Sequence, residues 1–81
     1  MGIFMKSVMI FLDSIEKVKN FVGDISGFDY DFDLVSGRYV IDAKSIMGIF
    51  SLDLAKPIRL NIHTNEDTKA VMEVLKPYIV E

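Results

Sequence analysis

The serine at position 45 is the residue of this sequence that is best placed for chemistry. It lies in the segment DAKSIMGIFSL, beside Lys44 and before large apolar side chains that one glycine interrupts. Serine is a preferred N-cap residue, so the segment predicts a short helix over residues 46–52. At such a position the hydroxyl can cap the helix by accepting a hydrogen bond from a free N–H group of the helix start.

The same helix would divide its apolar side chains between two faces. Ile46, Met47 and Phe50 share one face, at spacings of three and four. The other apolar residues of the region point elsewhere, and these are Ile49, Leu52 and Leu54. A short helix on a two-layer domain exposes one face, and exposed apolar clusters often mark partner sites. The residues alone leave open the alternative that both sets are core and that the serine only caps the helix.

Other kinds of site find little support in the sequence. His63 is the single histidine and cysteine is absent, which excludes multi-histidine and thiolate metal sites. The alternating aspartates of residues 29–33 are similar to the start of a calcium-binding loop, but Leu34 and Val40 stand where that loop needs Gly and Glu. These aspartates are expected on the solvent face of a strand near a sheet edge. No phosphate-binding glycine motif is present, and we expect no enzymatic activity, cofactor or metal.

Composition predicts one ordered globular domain over residues 1–81, with 51% hydrophobic and 26% charged residues. A net charge of −3 argues against direct nucleic-acid binding. The lack of cysteine suits the cytoplasm. Lys6 interrupts the apolar start of the chain, which favours a first strand over a signal peptide, and no membrane partner is expected. Either Met1 or Met5 could be the natural start, and the oligomeric state stays open.

Changes of hydrophobic period predict four strands and three helices. The strands are expected at residues 3–12, 28–34, 38–43 and 56–63, with a turn at Ser36-Gly37 between the second and the third. Together with the helices they give the order β-α-β-β-α-β-α. This order favours an α+β two-layer, open-faced sandwich, in which helices cover one face of a four-stranded antiparallel sheet.

The first and last helices carry their own end signals. Asp13 and Glu16 form a capping-box-like pair before a helix that ends near Gly27. The apolar face of this helix consists of Ile15, Val18, Phe21, Val22 and Ile25. The last helix would be capped by Thr64 or Asn65 and would end or kink at Pro77. Its first turn would hold Glu66 and Asp67, and its apolar face Ala70, Val71, Val74, Leu75 and Tyr78.

The run GRYVIDAKSIMGIFSLDL, from Gly37 to Leu54, resembles the regulatory-serine region of HPr, the phosphocarrier of the bacterial sugar phosphotransferase system, and of its catabolite-repression paralogue. The resemblance also covers the length and element order of the whole chain. It implies that Ser45 is phosphorylated by an HPr kinase/phosphorylase and that the phosphoprotein binds a LacI-type catabolite repressor. The partner-binding residues that it implies are Lys44, Ile46, Met47 and Phe50.

The resemblance fails where the family carries its phosphoryl group on a histidine. The register places Ser14 at that histidine, Glu16 at the following arginine and Lys17 at the following proline. A serine ester would hold the phosphoryl group too stably to pass it on, and Glu16 would repel it. We therefore expect an HPr-like regulatory or adaptor protein that is phosphorylated at Ser45 and is not a histidine phosphocarrier. The alternatives are a phosphocarrier that uses another residue, and an HPr-scaffold binding domain that works without phosphorylation.

Overall fold

The computed structural model describes residues 4–64 and 67–80. Its strands are β1 (Phe4–Ile10), β2 (Asp31–Ser36), β3 (Tyr39–Asp42), β4 (Ile58–Thr64) and β5 (Ile79–Val80). Its helices are α1 (Ile15–Ile25), α2 (Ile46–Phe50) and α3 (Lys69–Leu75), and a 3₁₀ turn over Lys76–Tyr78 follows α3. Three predictions fall on residues outside the described ranges. They are the possible natural start at Met1, the possible helix cap at Asn65 and the first-turn charge at Glu66.

The sheet is antiparallel and has the strand order β3-β2-β4-β1-β5. The prediction of an α+β open-faced sandwich is confirmed, but the sheet has five strands instead of four. The additional strand, β5, pairs Val80 with Met9 and Ile79 with Ile10. It holds two residues and follows the turn at Pro77, so it is too short to show a period of two in the sequence.

The helices cover one face of the sheet and leave the other face open. Along β4 the side chains of Ile58, Leu60 and Ile62 are buried, and those between them are half-buried or exposed. The rest of the core comes from the other strands and the three helices, and its fully buried members include Ile10, Leu12, Val18, Phe21, Ile25, Leu34, Ile49, Val71 and Leu75. None of the helices in the described part of the chain is long and apolar enough to cross a membrane.

Helix α1 begins one residue later than the capping-box pattern predicts. Ser14, and not Asp13, is the N-cap, and its Oγ accepts a hydrogen bond from the N–H of Lys17 at 3.1 Å. Asp13 instead pairs with the Lys17 ammonium at 3.2 Å. Ile15 is 65% exposed, although its spacing placed it on the apolar face. The period was right, but this first position lies outside the contact between helix and sheet.

Helix α3 also begins later than predicted. Thr64 is the buried last residue of β4, so it is not the cap. The N-cap is Thr68, whose side chain makes no capping hydrogen bond, and Asp67 Oδ1 accepts from the N–H of Lys69 at 3.0 Å. Ala70, which was predicted on the apolar face, is exposed. The helix does end just before the turn that contains Pro77, as predicted.

The β2–β3 hairpin differs from the prediction by one residue. Its two turn residues are Gly37 and Arg38, and Gly37 has a φ of 61°, which glycine adopts at little cost. Strand β2 begins at Asp31, three residues later than the alternating pattern indicated. It lies one strand in from the edge, which β3 forms, and its aspartates point to the open face.

Candidate functional site

Ser45 caps helix α2, as the sequence predicts. Its Oγ accepts a hydrogen bond from the N–H of Gly48 at 3.1 Å, and its carbonyl accepts from the N–H of Ile49 at 3.0 Å. Two hydrogen bonds to Asp42 fix the chain that leads into this cap: the Asp42 carbonyl accepts from the N–H of Ser45 at 3.0 Å, and Asp42 Oδ1 accepts from the N–H of Lys44 at 2.9 Å. The hydroxyl therefore stands at the start of a helix in a defined turn.

The apolar side chains beside this serine are divided as predicted. Met47 is 80% exposed, Phe50 41% and Ile46 37%, and we call these three residues the α2 patch. Ile49 is fully buried, and Leu52 and Leu54 pack partly buried against the core. The alternative in which both sets belong to the core is therefore wrong. The five residues of α2 thus present one face to the core and one face to solvent.

Gly48 holds the tightest position of the site. A Cβ at this residue would lie 3.2 Å from Ser45 Oγ and 3.3 Å from Ile41 Cδ1. Both distances are shorter than an ordinary van der Waals contact, so a side chain here would press on the capping hydroxyl. The glycine that interrupts the apolar run thus leaves room for the Ser45 hydroxyl on this side.

Lys44 lies beside the serine, but its ammonium is directed into the domain. The Nζ atom donates to the carbonyl of Phe28 at 2.7 Å and lies 5.5 Å from the centroid of the Phe32 ring. The side chain is half-buried. This hydrogen bond links the segment before α2 to the segment before β2 and stabilises the chain that leads into the Ser45 cap. A direct contact of Lys44 with a partner stays a prediction.

Ser14, which the family resemblance aligns with the phosphohistidine, has a different environment. Its hydroxyl caps α1, and Glu16 is the acidic residue of the first turn of that helix. Ile15 next to it is exposed, although its spacing in the sequence predicts a place on the apolar face of α1. No sequence signal separates it from the buried members of its face, because its spacing from Val18 is the same as that of a core residue.

His63 lies on β4 with its side chain on the open face of the sheet, away from the helices. Its Nε2 is 2.7 Å from Asp33 Oδ2, and both side chains are about one third exposed. Within residues 4–64 and 67–80, no group of three histidine or acidic residues is arranged to hold a metal ion. The histidine therefore belongs to a different surface from both capping serines.

No protein-family model matches the chain, and no curated protein sequence matches it. Solved structures do match. The phosphocarrier protein HPr of Bacillus anthracis str. Ames is 25% identical, with a TM-score of 0.70, and the match covers 99% of this chain and 100% of that one. HPr-C-His of Thermoanaerobacter tengcongensis is 21% identical, with a TM-score of 0.61, and the match covers 93% of this chain and 86% of that one. The chain therefore has the fold of the HPr phosphocarrier proteins.

Proposed function

We propose that this chain is a regulatory adaptor with the HPr fold, that Ser45 is its phosphorylation site, and that the α2 patch is its partner-binding surface. The observation that carries the proposal is the exposure of Met47, Phe50 and Ile46 directly beside a serine that caps the same helix. Apolar side chains of this size on the surface of a small domain are typical of protein interfaces.

The lack of acidic residues in the first turn of α2 supports phosphorylation at Ser45. The first turn of α2 holds no acidic residue, so a phosphate there would meet backbone N–H groups without an anion beside it on the helix. The added charge of about −2 would stand next to an apolar patch, and an arginine of a partner would recognise it by charge-assisted hydrogen bonds. The domain need not refold for this, because the cap is already formed.

The family resemblance names the partners of this surface. The kinase would be an HPr kinase/phosphorylase, and the reader of the phosphoserine would be a LacI-type catabolite repressor. The protein would act in carbon catabolite regulation in the bacterial cytoplasm.

A role as histidine phosphocarrier is not part of the proposal. The residue at the family's histidine position is Ser14, whose hydroxyl is engaged by the N–H of Lys17, and Glu16 lies in the same helix turn. A phosphate on Ser14 would stand near the carboxylate of Glu16 and near that of Asp13, which is paired with the Lys17 ammonium. His63 is on the open face of the sheet and is bound to Asp33.

A kinase assay tests the proposal. The protein is incubated with an HPr kinase and labelled ATP, and the wild type is compared with Ser45→Ala and Ser51→Ala. Ser51 lies at the other end of α2, where its Oγ donates to the Gly48 carbonyl at 2.5 Å, so it is a matched control. We expect label in the wild type and in Ser51→Ala and none in Ser45→Ala. Equal labelling of all three proteins would contradict the proposal.

A second candidate function follows from the α2 patch alone, because the patch is exposed without any modification. In this case the domain binds a partner through α2 and Ser45 serves only as the cap. A pull-down of the partner separates the two functions. Phe50→Glu should abolish capture of the partner under either function. Ser45→Ala should abolish it only if binding depends on the phosphate. Capture that Ser45→Ala leaves unchanged would favour the second function.

A further inference from the structure

The two arginines of the chain, Arg38 and Arg59, line the same cleft. Arg38 belongs to the β2–β3 turn and Arg59 to β4, and Lys56 in the loop between α2 and β4 is a third cation of the lining. The cleft has a volume of about 950 Å³ and lies at the end of the sheet, between this turn and this loop. Three cations from three different elements of the chain therefore meet at one site.

The positive charge of the cleft is only weakly neutralised. Both arginines are exposed, and neither forms an ion pair with a described residue. Among the described residues that line the cleft, Asp53 is the only one with an acidic side chain. Its Oδ2 lies 4.0 Å from Lys56 Nζ, and its Oδ1 accepts a hydrogen bond from the N–H of Ala55 at 3.1 Å. The lining thus carries three positive charges and one negative charge, in a chain whose net charge is −3.

The floor of the cleft is apolar. The strand register places Arg59 between Val35 on β2 and Met9 on β1, on the open face of the sheet. Met9 is 38% exposed and Val35 is half-buried, and Tyr39, which follows Arg38 at the rim, is 64% exposed. An inorganic anion would contact only the cations of such a site. A ligand that carries both acidic and apolar groups would use the whole lining.

The rest of the open face limits the length of the ligand. Asp31, Asp33 and Asp42 lie further along the same strands, and Asp33 stands directly opposite Asp42. The basic residues of that region are already engaged, Lys44 with a backbone carbonyl and His63 with Asp33. A long polyanion that ran along the strands, such as a nucleic acid, would meet these carboxylates and be repelled. The charges therefore favour a short acidic ligand that stays within the cleft.

We propose that the cleft binds a short acidic segment of a partner protein, with its carboxylates on Arg38 and Arg59 and an apolar side chain over Met9 and Val35. A guanidinium binds a carboxylate through two parallel hydrogen bonds, and Lys56 adds a point charge. Strands β2, β4 and β1 are neighbours at about 4.8 Å spacing, so the floor is about 10 Å wide and matches about three residues of an extended segment.

This binding is separate from the function proposed for Ser45. Neither Ser45 nor any residue of the α2 patch lines the cleft, although Ser51 and Leu52 at the far end of α2 do. A partner that holds an acidic segment beside the surface that covers the α2 patch would gain affinity from the second contact.

Nuclear magnetic resonance titration of the isotope-labelled protein tests the proposal. The probe is the peptide Glu-Glu-Leu-Glu-Glu with blocked ends, and the control peptide is Gln-Gln-Leu-Gln-Gln, which has nearly the same shape without the charges. The variants are Arg38→Gln and Arg59→Gln, and the matched control is Lys19→Gln, which removes the same charge from the exposed side of α1. All three side chains are exposed, so the fold should tolerate the changes, which circular dichroism verifies.

We expect the acidic peptide to shift the amide signals of residues 35–39 and 51–59, with a dissociation constant at or below about 1 mM. Each arginine substitution should raise this constant at least about fivefold, and Lys19→Gln should change it less than about twofold. A lack of binding, equal binding of the control peptide, or an affinity that either arginine substitution leaves unchanged would overturn the proposal. An equal loss of affinity in Lys19→Gln would do the same. So would inorganic phosphate that produces the same shifts at an equal dissociation constant, because the ligand would then be a small anion.

Discussion

Helices α1 and α2 begin with the same local structure and differ in what surrounds it. In both, a serine Oγ accepts a hydrogen bond of 3.1 Å from the N–H three residues later, that of Lys17 for Ser14 and that of Gly48 for Ser45. The first turn of α1 contains Glu16, whereas the first turn of α2 contains no acidic residue. The cap geometry alone therefore does not distinguish a phosphorylation site from a structural serine.

The neighbours make the distinction. Ser14 stands between Asp13 and Glu16, so an added phosphate would be repelled where the helix start already has its negative charge. Ser45 stands beside the α2 patch, where a new anion would be next to a surface that a partner protein can cover. Two caps of equal geometry thus differ in the charges and in the exposed apolar side chains beside them.

The largest expected effect is a complete lack of phosphoryl transfer from phosphoenolpyruvate to this protein. Incubation of the wild type with phosphoenolpyruvate, Enzyme I and Mg²⁺ should leave it unlabelled, because no histidine stands at the start of α1. An active histidine-containing HPr in a parallel reaction shows that Enzyme I works. Label on Ser14 or His63 would show that the chain is a phosphocarrier after all.

The next largest effect concerns partner binding, which we expect at the start of α2 and not at the start of α1. Met47 is 80% exposed on α2 and Ile15 is 65% exposed on α1, so each offers an apolar side chain that a glutamate can replace without loss of core packing. Met47→Glu should weaken binding of the partner about thirtyfold, a loss of ~2 kcal/mol that is typical of interface hot spots. Ile15→Glu is the matched control and should change the affinity less than about threefold. Titration calorimetry measures both, and the reverse order would move the binding surface to α1.

Helix α1 has an anchor near its end, and its strength depends on pH. The Tyr78 hydroxyl donates to Asp24 Oδ2 at 2.7 Å. Burial, and then the hydrogen bond to Asp24, raises the pKa of Tyr78 from 10.0 to about 12. Because the folded state holds this proton more tightly than the unfolded state, the stabilisation is fully present below pH 10 and is lost as the pH rises towards 12.

We expect the free energy of unfolding to fall by about 2 kcal/mol over that range because of this group. In Tyr78→Phe that part of the fall should be absent, while the edge-on contact with the Phe21 ring is kept. Urea unfolding at several alkaline pH values measures the difference. An equal fall in both proteins would mean that Tyr78 does not anchor α1.

The smallest expected effects are those on the two caps. Ser14→Ala and Ser45→Ala should each lower the free energy of unfolding by about 1 kcal/mol, because each leaves one helix N–H without its side-chain acceptor. Urea unfolding at neutral pH measures both. Similar losses in the free energy of unfolding, together with different labelling of the two serines by the kinase, would show that capping strength does not determine which serine is phosphorylated. A loss above about 3 kcal/mol at either serine would indicate a larger structural role.

Much of the candidate site could be predicted from the sequence, because its signals are local. A serine before a short apolar run predicts a cap, and the spacing of Met47 and Phe50 predicts a face apart from Ile49. The changes of hydrophobic period predicted the element order, which also agrees with the family resemblance, and the fold has this order with β5 added at its end. These features need no knowledge of distant contacts.

The features that the sequence did not predict depend on tertiary packing. Strand β5 exists because Val80 and Ile79 reach the free edge of β1, which a two-residue segment cannot indicate. Ile15 is exposed because it lies outside the contact between α1 and the sheet, although its spacing from Val18 is that of a core residue. Arg59 and Asp31 lie on one face of the sheet only because of the register between β4 and β2.

Localisation of the phosphate in the wild-type protein tests the central claim most directly. The chain is incubated with HPr kinase and ATP, and its fragments are analysed by mass spectrometry, which distinguishes Ser45 from Ser14 in a single sample. We expect one phosphate per chain, on Ser45, with Ser14 unmodified. Phosphate on Ser14, or no phosphate under conditions in which an HPr control is phosphorylated, would contradict it.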